Sequence, residues 1–190
     1  MLINLDDFSR MLKIERNYSD NTISAYLSDL KSFNTFLEKN KINFKDVVTD
    51  SKHTKAFFRQ LSKKKLSPRS VKRKFSSLSS YFIFLLDRKI IKNNPLNGVF
   101  TPKVPKALPE VLTVDEINKV FSQSENTDNE LLGLRDRCIL EMLYSSGLRV
   151  SELCNLKINN IQFDLNLIRF FGKGNKERMI PLTYYARRWL

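Results

Sequence analysis

The residues most able to do chemistry in this chain are cations set at sharp turns. Arg149 follows Gly147-Leu148 between two apolar segments, residues 131–146 and 150–156. A charge in such a place needs a partner or an outlet to solvent. Two readings fit it: a helix-start arginine paired with Glu152 one turn on, or a planar guanidinium presented to an anion. Lys173 stands between Gly172 and Gly174 at the tip of an expected hairpin. It is either an ordinary exposed turn lysine or a mobile ammonium able to reach a ligand. The third feature is a stretch with seven basic residues and no acid: Lys63, Lys64, Lys65, Arg69, Lys72, Arg73 and Lys74. It reads as a solvated face or as a surface for a phosphate backbone.

Other chemistries drop out. His53 is the only histidine, and Cys138 and Cys154 are the only cysteines. A four-ligand Cys/His zinc site is therefore excluded, and nothing suggests a disulfide framework. The run Gly172-Lys173-Gly174-Asn175-Lys176 lacks the spacing of a phosphate-binding P-loop, and it joins two expected strands rather than a strand and a helix.

These cations need elements to hold them. Ile23, Tyr26, Leu27, Leu30, Phe33 and Leu37 recur at three- and four-residue steps after Ser19-Asp20, and Val71, Phe75, Leu78, Phe82 and Leu85 do so after Ser67-Pro68. Both patterns predict amphipathic helices with a cap, the second with a first-turn proline. Clusters at Leu5, Phe8, Met11, Leu12 and at Ala56, Phe57, Leu61 predict two more, so about 95 residues should form a four-helix bundle. Its last helix would carry Lys72 and Arg73 near its N-terminal end, where the macrodipole adds to their charge. Asn94-Pro95-Leu96-Asn97-Gly98 is turn chemistry, and Pro102, Pro105 and Pro109 with Lys103 and Lys106 make an extended basic connector. Beyond it, Thr113 and Glu116 have capping-box spacing, residues 131–146 predict a buried helix ended by Gly147, and residues 150–156 a short one. From Ile161 the period falls towards two, predicting antiparallel strands near 160–163, 167–171 and 177–182. The expected fold class is mainly α: a four-helix domain over 1–95, a linker over 96–110, and an α+β domain with a small three-stranded sheet over 111–190.

The chain holds 33 Lys+Arg against 20 Asp+Glu, a formal net charge of +13. Residues 1–100 hold 20 basic and 9 acidic side chains, and residues 101–190 hold 13 and 11, so the excess lies in the first half. With 42% hydrophobic residues and 14 Phe, this is no disordered basic tail. The longest apolar run, residues 81–86, is far short of the ~20 residues of a membrane span, and no secretion signal is visible. The expectation is a cytoplasmic protein with a polyanion partner and no membrane association.

The stretch LRDRCILEMLYSSGLRVSELCNLKINNIQFDLNLIRFFGKGNKERMIPL, residues 134–182, closely resembles the start of the catalytic domain of the tyrosine recombinase/phage integrase family, most of all its Xer-type members. YSSGLRVSELCNL matches the first-arginine box, FFGKGNKERMIPL the β-hairpin, and LRDRCILEML the approach helix. YSDNTISAYLSDLKSFNTFL, with the proline-bearing linker before LPEVLT, is similar to the family's helical SAM-like core-binding domain.

The resemblance implies DNA breaking and rejoining without a metal or nucleotide, because a tyrosine attacks a phosphodiester and the resulting 3′-phosphotyrosyl bond conserves its energy. It assigns Arg149 to the nonbridging oxygens, Glu152 to orienting that arginine, and Lys173 to protonating the departing 5′ oxygen. It implies DNA contacts by Lys63, Lys64, Lys65, Arg69, Lys72, Arg73, Lys103, Lys106, Lys176 and Arg178. It also implies double-stranded DNA and further recombinase protomers as partners, and a role in resolving chromosome or plasmid dimers before cell division. The family's His-x-x-Arg box and nucleophilic tyrosine are not found: Ala56 stands three residues after His53, and the tyrosines lie in other contexts. The expectation is a chain that carries the start of an active site, binds DNA and does not cleave it. The alternative is a DNA-binding regulator without catalysis.

Overall fold

The computed structural model of the chain describes residues 2–105, 108, 110–171 and 177–190. It divides into two compact units, Met1–Ala107 and Leu108–Leu190.

The first unit is built from helices α1 (Leu5–Ile14), α2 (Asp20–Lys39), α3 (Phe44–Thr49), α4 (Lys52–Lys63) and α5 (Pro68–Asp87). The two long helices start where the caps predict: Ser19 accepts from the Thr22 N–H, and Ser67 accepts from the Ser70 N–H with Pro68 in the first turn. Their apolar stripes meet, burying Leu30, Phe33 and Leu37 of α2 and Leu78, Phe82 and Leu85 of α5. Phe57 of α4 closes the bundle, its ring centroid 5.0 Å from that of Phe33. The four expected helices are all present. The additional one, α3, has six residues and a single buried side chain, Val47, which is too short for a helical period to register.

Tyr81 is fully buried on α5 and holds the N-terminal segment. Its hydroxyl donates to the Ile3 carbonyl at 2.8 Å and accepts from the Ile3 N–H at 3.1 Å. Burial pushes the phenol up to about 12. Leu96, the first residue of the expected linker, packs into this core at 5% exposure, and Thr54 donates to the Pro95 carbonyl at 2.6 Å. The bundle thus holds the chain through the turn at 95–98 before the connector begins.

The second unit contains α6 (Val114–Glu125), α7 (Glu130–Ser146), α8 (Val150–Cys154), a 3₁₀ turn at Ile158–Asn160, strands β1 (Ile161–Gln162), β2 (Leu167–Phe171) and β3 (Glu177–Pro181), and α9 (Tyr184–Arg188). The strands form an antiparallel sheet in the order β1-β2-β3, with Ile161 opposite Ile168 and Ile168 opposite Ile180. Those three isoleucines share one face and pack with Met142, Leu148, Leu182 and Ala186. This core is small. Contrary to the expected buried helix, α7 leaves Leu134 and Ile139 exposed, because only its Met142 side meets the sheet and α9, while α6 contributes no buried residue.

Much of what fastens α6 to α7 is Arg137. Its guanidinium bonds Glu125 and the buried Glu141 at 2.8 Å each and lies over the rings of Phe121 (4.3 Å) and Trp189 (5.1 Å).

Candidate nucleic-acid interface

Gly147 makes the turn that presents Arg149. Its φ of +60° ends α7 in the left-handed region, with its N–H on the Leu143 carbonyl at 3.1 Å. Leu148 then drops into the core at 6% exposure. The next residue points out: the Arg149 side chain, at the N-cap of α8, is 71% exposed. Both readings of this arginine start from the same contact, the bond of its Nη1 to Glu152 Oε1 at 2.9 Å.

The sheet brings a third member. Arg178 of β3 donates to Glu152 Oε2 at 2.9 Å, the oxygen that also accepts the Arg149 backbone N–H at 2.9 Å. That backbone bond holds the Glu152 carboxyl below the ordinary glutamate range, helped by the two guanidiniums. Two arginines about one ionised carboxylate leave a net charge of +1. No hydrogen bond to the Arg149 Nε or Nη2 is present among the described residues. An exposed guanidinium with unused donors suits a phosphate oxygen.

Lys173 and Lys176, like Lys106 of the connector, lie outside the described residues. Lys103 is exposed in the first unit.

The basic stretch of the first unit is not uniform. Lys63, Lys64 and Lys65 are exposed at the end of α4 and the turn after it, and Arg69 and Lys72 are exposed on the first turns of α5. Arg73 and Lys74 are committed instead. Asp29 of α2, 1% exposed, accepts from Arg73 at 2.8 Å, Lys74 at 2.9 Å and the Ser77 hydroxyl at 2.9 Å, and Arg73 also donates to the Ala25 carbonyl. Arg73 and Arg178, both expected to contact DNA, therefore each hold a carboxylate of the protein itself. Asp29 was missed in the sequence, although a signal existed: it lies three residues after Tyr26 and four before Phe33, on the apolar stripe, where a carboxylate needs cations.

Among the described residues no group of three or more His, Cys, Asp or Glu could hold a metal ion, and no helix is long and apolar enough to cross a membrane.

Two family models match the chain: the phage integrase N-terminal SAM-like domain over residues 5–89 and the phage integrase family over residues 110–190. The chain belongs to the tyrosine recombinase/phage integrase family. Among curated relatives, this integrase-family chain is 38% identical over 186 residues to tyrosine recombinase XerC of Anoxybacillus flavithermus, covering 98% of the chain and 61% of the relative. It is 37% identical over 184 residues to XerC of Bacillus subtilis, covering 96% and 59%. The chain thus spans about 60% of the length of these relatives. Its fold is that of solved integrases. A lambda integrase tetramer bound to a Holliday junction matches with a TM-score of 0.74 at 22% identity, over 98% of this chain and 52% of that one. The Tn1549 transposon integrase in complex with circular intermediate DNA matches at 0.65 and 18%, over 97% and 62%.

Proposed function

We propose that the chain binds duplex DNA as part of a Xer-type site-specific tyrosine recombinase. The observation that supports this best is the exposed Arg149 guanidinium, fixed by Glu152 in the unit that matches the phage integrase family. In this reading Arg149 takes nonbridging oxygens of one phosphate, and its planar fork sets their orientation. Lys173 protonates the 5′ oxygen that departs when a tyrosine forms the 3′-phosphotyrosyl bond. Lys63, Lys64, Lys65, Arg69 and Lys72, with Lys103, Lys106 and Lys176, hold the duplex through its backbone and so set affinity rather than sequence. The partners are double-stranded DNA and further recombinase protomers, the compartment is the cytoplasm, and the biological task is resolution of chromosome or plasmid dimers.

The polypeptide of these 190 residues binds DNA without cutting it, since it contains no His-x-x-Arg sequence and its tyrosines lie in other contexts. Fluorescence anisotropy with a labelled duplex tests the binding, and a nicked suicide substrate run on a denaturing gel tests the chemistry. Salt-sensitive binding and no covalent adduct are expected. A protein–DNA adduct overturns the second statement, and affinity indifferent to salt overturns the first.

A further inference from the structure

The carboxylate of Glu152 is shared between two elements. Its Oε1 accepts from the Arg149 guanidinium, and its Oε2 accepts from the Arg149 N–H and from the Arg178 guanidinium, each at 2.9 Å. A carboxylate facing a lone arginine commonly takes it on both oxygens, which uses up one edge of the fork. That arrangement is closed here. Oε2 already carries a backbone N–H and a second guanidinium, so Arg149 engages through Nη1 alone. Arg178 is itself held in place, because strand pairing sets it opposite Phe170. The pair therefore ties a sheet strand to the first turn of α8.

We propose that Arg178 is a positioning residue: by occupying Oε2 of Glu152 it keeps the Arg149 guanidinium on Oε1 alone, with its other edge open to a phosphate of duplex DNA. This rests on the DNA reading of Arg149 given above. Arg178 acts through Glu152 and need not touch the nucleic acid. Without it, two opposite charges remain in place of a cluster with one net positive charge. Glu152 can then take Arg149 on both oxygens, which uses up an edge of its fork and competes with the phosphate.

The test uses the full 190-residue chain and a fluorescein-labelled duplex. Arg178→Ala should weaken binding about two- to fivefold in the wild-type background, the range of an exposed ion pair, and should have no further effect when Arg149→Ala is already present. Equal weakening in both backgrounds makes Arg178 an independent DNA contact and overturns the inference, as does no weakening in either. The same variants are read without DNA through the Arg149 Nε–Hε NMR cross-peak, identified by its loss in Arg149→Lys. It should move in Arg178→Ala and return towards its original position in Arg178→Lys, which restores one donor to Oε2. A peak left in place by Arg178→Ala overturns the inference whatever the binding data. If the peak moves while Arg149→Ala leaves duplex affinity unchanged, the DNA reading of Arg149 fails and the positioning role stands.

Discussion

Lys72 and Arg73 are adjacent, carry the same charge and sit on the same helix, yet they should behave oppositely when each is replaced by alanine. Lys72 is exposed with no carboxylate bonded to it among the described residues, whereas Arg73 bonds the buried Asp29 at 2.8 Å. A cation that neutralises one phosphate adds about 0.9 to the slope of log K against log salt. Lys72→Ala should therefore flatten the slope by about 0.9, while Arg73→Ala, whose charge is already spent, should change it by less than about 0.3. Stability should rank the other way. Arg73 is 46% exposed, so its loss costs about 1 kcal/mol, because Asp29 keeps Lys74 and Ser77 as partners. Lys72→Ala should stay within about 0.5 kcal/mol of wild type. The assays are duplex anisotropy between about 50 and 200 mM salt, and native-state hydrogen exchange of α2 and α5 amides. Two units do not guarantee one cooperative transition, so a residue-resolved method is needed. Equal flattening by both variants would show that DNA draws Arg73 off Asp29, and that Lys72 and Arg73 do not differ in their use of charge.

Replacing Lys63, Lys64 and Lys65 together by alanine should flatten the same salt slope by up to about 2.7, and an unchanged slope would remove all three from the interface. Gly147→Ala meets no neighbouring atom but must hold φ near +60°, so it should cost about 1–2 kcal/mol in exchange-derived stability of the second unit, and a neutral result would deny that the turn is strained for other residues. Tyr81→Phe removes both hydrogen bonds to Ile3 and should cost about 1 kcal/mol with faster exchange at the start of α1. Because the Glu152 pKa is lowered by folding, its contribution is present above the ordinary glutamate range and is lost as pH falls through the lowered value. A carboxyl-carbon NMR titration should place its midpoint below that range; a midpoint at or above about 4.3 contradicts the geometry.

Local signals carried much of the fold. Ser19, Ser67 and Thr113 are caps that act within three residues, and the stripes of α2 and α5 span about four turns each, so neither needed tertiary knowledge. Arg149 and Glu152 were legible for the same reason, being three residues apart. Arg178 lies 26 residues from Glu152, and only the hairpin register brings the two together. Asp29 lies 44 residues from Arg73. A helical wheel marks it as misplaced but cannot say which of the cations on α5 turns inward. The exposed Leu134 and Ile139 of α7 show the converse limit: apolar character states what a face could bury, and only packing decides whether it does.

The clamp at Arg137 has a consequence for how the second unit comes apart. With no buried side chain of its own, α6 is retained largely by one guanidinium between two rings and two carboxylates, and by the edge contact of Phe121 with Tyr144. Polar and aromatic contacts on a surface let go one at a time, whereas an apolar core yields as a whole. The helix should therefore peel away while the sheet and the Met142 side of α7 stay assembled. Among the folded elements of the second unit, a protease at low dose would cut within Val114–Glu125 before the sheet or α7, leaving a trimmed unit in which Arg149, Glu152 and Arg178 still meet.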